Sequence, residues 1–106
     1  MKIGTVRRFA LSLTGVNEEP HFNRSSFRVK GKIFATVSPD EDTINIFLPE
    51  EERETALALF PEFCEKQWWG KKVAGITVTL SRARAAEVKG LLKSAWRSKS
   101  PPALVK

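Results

Sequence analysis

Cysteine and histidine each occur once, at Cys64 and His21. A lone cysteine excludes an internal disulfide and fits a reducing compartment. A lone histidine leaves no base spaced to activate a serine or cysteine, and Cys64 has no flanking motif. No GxxxxGKS/T or GxGxxG phosphate loop and no CxxC pair is present. No apolar run approaches the roughly 18 to 20 residues needed to cross a bilayer. The start, "MKIGTVRRFALSL", has no long apolar stretch ending in a small-residue cleavage site, so a cytoplasmic protein without membrane contact is expected. The glutamates at 50–54 lack a histidine or further carboxylate at metal-binding spacing. Neither a metal nor a cofactor is expected, and no enzyme.

Charge, in contrast, is plentiful and unevenly placed. There are 18 basic and 12 acidic residues, a net charge of +6. Residues 1–39 carry net +5, residues 40–65 net −8 and residues 66–106 net +9. Such blocks give a basic side and an acidic side if the two ends of the chain meet in space.

The pattern along the chain predicts an α+β fold. Val6, Phe9, Ala10 and Leu13 make one apolar face of a helix over 5–14, with Thr5 as its cap, Gly15 as its end, and Arg7 and Arg8 toward solvent. The period then becomes two. "EPHFNR" is a short strand, and "SSFRVKGKIFATV" places apolar residues on every odd position from Phe27 to Val37 except Gly31. Keeping apolar opposite apolar across that bend predicts a three-residue loop, Val29–Lys30–Gly31 or Lys30–Gly31–Lys32, the first placing Gly31 in the left-handed position. A two-residue loop would set Val29 against Lys32. Ile44, Ile46 and Leu48 form a further strand with one buried face. A helix over 50–60 follows Pro49, with Glu50, Glu51, Glu52 and Glu54 complementing its dipole.

"FCEKQWWGKKVAGITVTL" reads as two strands around Gly70, with Ala74, Ile76, Val78 and Leu80 sharing a face. The parity of 63–69 leaves open which of Trp68 and Trp69 points inward. Ser81 caps a final helix over 82–98, with Lys89, Lys93 and Arg97 off its core face. The expected order is α-β(3)-α-β(2)-α, a two-layer domain with an antiparallel sheet and helices on one face. One domain spans 1–98 and a flexible tail 99–106.

One motif recurs. "VKGKI" and "WGKKV" each put a glycine and two lysines at the bend of an antiparallel pair, where projecting lysines can meet phosphate oxygens without base specificity. An exposed indole beside the second bend could stack on a base.

The stretch "ALSLTGVNEEPHFNRSSFRVKGKIFATV", the downstream "LPEEE" helix start and the closing basic helix resemble the MmcQ/YjbR-like family of small bacterial proteins, over about residues 6–98. "KKVAGITV" departs from the pattern, lacking an aromatic after its glycine. The resemblance implies a compact fold of helices against an antiparallel sheet, and DNA binding by likeness to a double-wing motif. The expected function is therefore weakly sequence-specific binding of nucleic acid, duplex DNA first. Arg28, Lys30, Lys32, Lys71 and Lys72 would contact phosphates, Trp69 would stack, and Lys89, Lys93 and Arg97 would form a flank. The chain would act as a monomer or weak homodimer. The alternative is a protein- or small-ligand-binding domain, possibly self-associating. A third reading is an enzyme with a pocket around His21 and Arg28.

Overall fold

The computed structural model describes residues 1–104. Of the expected tail, residues 105–106 lie outside the described residues. Helix α1 spans Ile3–Ser12, α2 Glu50–Leu59 and α3 Ala85–Lys99. Six strands, β1 (Val16–His21), β2 (Arg24–Val29), β3 (Lys32–Val37), β4 (Thr43–Ile46), β5 (Cys64–Trp69) and β6 (Lys72–Thr79), form one antiparallel sheet in the order β1-β2-β3-β4-β6-β5. Four strands precede α2 rather than the three of the expected order: the first is Val16–His21, earlier than the "EPHFNR" stretch, and it pairs along the whole of β2.

Register assigns the two faces. Phe27, Ala35, Ile46 and Ile76 lie opposite one another in one row, and Val37, Ile44, Val78 and Cys64 in the next. All are buried, in one core with Val6 and Ala10 of α1, Ala56 of α2, and Val88, Leu92, Ala95 and Trp96 of α3. The helices therefore cover one face of the sheet. The other face carries the row Glu19, Ser26, Thr36, Asn45, Thr77 and Glu65 and has no helix on it.

The first hairpin departs from the sequence expectation. Val29 does pair with Lys32, and the loop is only Lys30–Gly31, with φ of 50° and 79°. Positive φ at both central residues is what a type I′ turn demands, and its twist matches that of the flanking strands. The parity conflict is resolved farther down. Arg28 pairs with Ile33 but Phe27 with Ala35, which leaves Phe34 as an unpaired bulge residue. The bulge turns Phe34 into the core at 0% exposure and Ile33 out to a half-buried position. Strict alternation would have done the reverse.

The helix ends also shift. Leu80–Arg82 is a separate 3-10 turn, so Ser81 does not cap α3; Arg84 precedes it and donates from Nε to Glu87 Oε1 at 2.7 Å. Lys99 belongs to α3, and Pro102–Leu104 forms a second 3-10 turn. Helix α1 starts at Ile3, without a Thr5 cap. Gly15 takes its left-handed φ of 76° beyond the helix, in the turn into β1.

Arg7 does not point to solvent. It reaches the sheet and makes a two-pronged contact with Glu18, Nε to Oε1 at 2.8 Å and Nη2 to Oε2 at 3.0 Å, while Ser25 Oγ donates to the same carboxylate. Those donors, Arg7 foremost, hold the Glu18 carboxyl below its usual range. A depressed folded pKa gives stability that is present above the unfolded value, near pH 4.3, and lost as pH falls through the folded value.

Two outcomes follow for stability. Phe34→Ala is expected to cost about 3 to 5 kcal/mol in chemical denaturation, and Ile33→Ala clearly less; the reverse ranking would refute the bulge. Glu18→Gln should cost about 1 kcal/mol near neutral pH, since Arg7 stays a third exposed and water screens the pair. In urea titrations across pH, that gap should close as the medium drops below the ordinary carboxylate range.

Candidate nucleic-acid interface

Antiparallel pairing fixes where the two lysine-bearing bends lie. Strands β2, β4 and β5 run one way and β1, β3 and β6 the other, so the Lys30–Gly31 and Gly70–Lys71 bends project from the same end of the sheet. Their hairpins are centred three strand spacings apart, roughly 14 Å. That is close to the width of the B-DNA major groove, about 12 Å. Lys30, Lys32, Lys71 and Lys72 are all exposed.

The second hairpin repeats the build of the first. Trp69 pairs with Lys72 across Gly70–Lys71, and Gly70 has a φ of 60°. A glycine with positive φ first in a two-residue loop fits a type II′ turn. Ala74 is then the unpaired bulge residue, since Trp68 pairs with Val73 and Gln67 with Gly75. Gly75 itself has no room for a side chain: a Cβ would overlap the Ile46 carbonyl of β4.

Neither tryptophan of β5 is core. Trp68 is 55% exposed on the helix side of this edge strand, with Lys66 Nζ 5.8 Å from its ring. Trp69 is 78% exposed and faces the helix-free side with Gln67.

The remaining cations divide. The end of α3 approaches the tip end of the sheet, because Trp96 Nε1 donates to Thr14 O at 2.9 Å and Val16 pairs with Val29 beside the first bend. Arg97, exposed, lies there, and exposed Lys93 is one turn below. Lys89 instead sits over the Phe9 ring at 5.8 Å, in the groove between α1 and α3. Arg28 is drawn along the helix-free face, Nε to Ser26 Oγ at 3.0 Å and Nη2 to Pro20 O at 3.4 Å. The structure thus gathers Lys30, Lys32, Lys71, Lys72 and Arg97 at one end, and holds Arg28 and Lys89 elsewhere.

The scan against family models matches residues 11–98 to the YjbR family model. The chain belongs to the YjbR family. Among solved structures it is similar to the crystal structure of Deinococcus radiodurans protein DR2400, described with domain DUF419, at 19% identity and a TM-score of 0.76, over 90% of this chain and 75% of that one. At that identity the likeness speaks for the fold. No curated protein is similar enough to the chain to match it.

The YjbR region contains both tips and α3, but also an acidic neighbour that the charge blocks did not place. Helix α2 begins at the same end of the sheet as the tips, directly after β4. Its Arg53 donates from Nη1 to Val73 O at 3.0 Å, next to the second bulge, and pairs with Glu54 at 2.9 Å and Glu50 at 3.8 Å. Glu50 and Glu54, held by that arginine, therefore lie toward the second hairpin, whereas Glu51 and Glu52 line a groove with Leu91 and Ser94 of α3. The basic and acidic blocks do not separate into opposite sides, because β4 carries the acidic segment up to the tip end.

Cys64 is buried, and burial pushes its thiol up to about 11, so it stays protonated at neutral pH. Among the described residues no group of three or more His, Cys, Asp or Glu could hold a metal ion, and no helix is long and apolar enough to cross a membrane. His21 lies edge-on to Phe22, ring centroids 4.8 Å apart.

Because Trp69 stands out from the fold, Trp69→Ala is expected to change stability by no more than about 0.5 kcal/mol in a thermal melt. A loss of several kcal/mol would show that its indole is part of the packing.

Proposed function

We propose that this YjbR-family chain is a nucleic-acid-binding protein, not an enzyme, which holds duplex phosphates at the tip end of its sheet with weak sequence preference. The observation that carries the reading is the shared end of the two bends, a groove-width apart, with four exposed lysines and Arg97. Lysine side chains at turns reach phosphate oxygens but carry no base information. The family resemblance supports the same assignment, and a monomer or weak homodimer suffices for it.

The two tips are not equal partners. Glu50 and Glu54, clamped by Arg53 next to Val73, lower the potential on the second hairpin, while the first has no acid on its own two strands. Lys30 and Lys32 therefore carry the larger share.

Binding to duplexes of unrelated sequence should be similar in strength and fall with salt, about four neutralised phosphates giving a log–log slope near −4. Lys30→Glu with Lys32→Glu should abolish binding at moderate salt while the melting temperature holds. Lys71→Glu with Lys72→Glu should weaken it less, and Glu51→Lys with Glu52→Lys, in the groove beside α3, should change it only slightly. Fluorescence anisotropy with a labelled duplex reads all three. Salt-independent binding, or equal loss from every charge-lowering pair, would refute the local interface.

A further inference from the structure

The helix-free face of the sheet carries a concavity of about 380 Å³, at the small end of the range for ligand sites. Thr36, Asn45 and Gln67 contribute polar groups to its lining, and Trp69, Phe22 and Arg24 stand around them. The β1–β2 turn and the β5–β6 hairpin occupy diagonally opposite corners of the sheet, and both contribute to this one hollow.

Its polar groups are incompletely satisfied. In the row across the sheet, Ser26 Oγ donates to Glu19 O at 2.8 Å, and Thr77 Oγ1 donates to Asn45 Oδ1 at 2.8 Å. Thr36, between them and 3% exposed, has no partner for Oγ1, and Gln67 Oε1 has none either. Buried polar atoms are nearly always hydrogen-bonded, and leaving one unmet costs about 1 to 3 kcal/mol. These are the only two such side-chain atoms among the described residues, and both line this hollow. Gln67 Nε2 is already committed to Trp68 O at 3.1 Å, so what remains to be met at Gln67 is an acceptor.

The rim points the same way. Phe22 is 93% exposed and has a φ of 58°, a backbone state that bulky side chains rarely adopt, and its only aromatic neighbour is the edge of His21. Trp69 offers a second free aromatic face. Arg24 makes no ion pair within 4.0 Å among the described residues.

We propose that this concavity binds one unpaired nucleotide whose base bears an exocyclic amino group, stacked on Trp69, with its phosphate toward Arg24. The amino N–H groups would meet Gln67 Oε1 and Thr36 Oγ1. A rotamer change of Gln67 and Trp69 on the edge strand opens the floor to the guest. The nucleotide is either free or part of a single strand; the chemistry is the same. The site is separate from the phosphate contacts of the tips.

The test is NMR titration of the labelled protein with dAMP, dTMP and inorganic phosphate at millimolar levels, and with oligo(dA) and oligo(dT). Expected are shifts at Thr36, Gln67 and Trp69 with dAMP, binding of dTMP about tenfold weaker for one lost hydrogen-bond pair, and no such shifts with phosphate. Thr36→Val removes the orphaned hydroxyl at constant shape. It should melt no lower than wild type yet bind dAMP about tenfold more weakly. Trp69→Ala serves as a second variant, with the same loss. Oligo(dA) binding well above dAMP identifies a strand as the source, and equal binding a free nucleotide. Lys30→Glu with Lys32→Glu should leave dAMP binding intact, so loss of duplex binding and loss of this site are separately visible. Absence of dAMP-dependent shifts, shifts reproduced by phosphate alone, or full dAMP affinity in both variants would overturn the proposal.

Discussion

A tight turn followed by a bulge at the third residue beyond it governs both hairpins. Lys30–Gly31 is followed by Phe34, and Gly70–Lys71 by Ala74. A two-residue loop forces its flanking pair into direct opposition, which sets an apolar residue against a lysine at the tip. One extra residue in the returning strand then restores the core register. The conflict between turn geometry and hydrophobic pattern is thus confined to two residue pairs at each tip, where exposed lysine is harmless to packing. Bulges also add local twist and bend the strand that carries them, so the two tips are shaped alike.

The bulges organise the neighbouring contacts as well. The Phe34 carbonyl accepts from Phe47 N at 3.0 Å, tying the first bulge to the residue after β4. Beside the second, the Val73 carbonyl accepts from Arg53 at 3.0 Å, which anchors the acidic helix to the sheet. An arginine already engaged by a backbone carbonyl and two glutamates has little charge left to offer a ligand. The same clamp brings Glu50 and Glu54 toward the second hairpin, so the electrostatic asymmetry between the tips is a by-product of how α2 is docked.

The sheet spends its two faces differently. The helix side is close-packed from Phe27 to Val78. The other side carries a polar row that a water-facing sheet would normally satisfy from solvent. Its edges are guarded by Pro20 on β1 and by Glu65 and Lys66 on β5, which discourage pairing with another chain. The open face so protected from strand addition still holds an unmet hydroxyl at Thr36 and the exposed rings of Phe22 and Trp69.

Much of this was legible in the linear pattern. Helical periodicity located all three helices within a few residues, since burying a stripe at i, i+3, i+4 is a local requirement. The lysine–glycine bends and the YjbR-family likeness were equally plain. Strand parity beyond each bend was not, because Phe34 and Ala74 become bulge residues only through pairing with a partner strand. Nor was the exposure of Trp68 and Trp69, which follows from β5 being the last strand of the sheet, an outcome of topology. Arg7 looked solvent-facing by helical phase alone, and only the approach of β1 supplied Glu18 to capture it. The sequence by itself determined which segments bend, coil and extend, because those preferences act between near neighbours. Which residues meet at the tip end, and which polar atoms are left without a partner on the open face, was decided by the order of strands in the sheet, a long-range arrangement that no local pattern encodes.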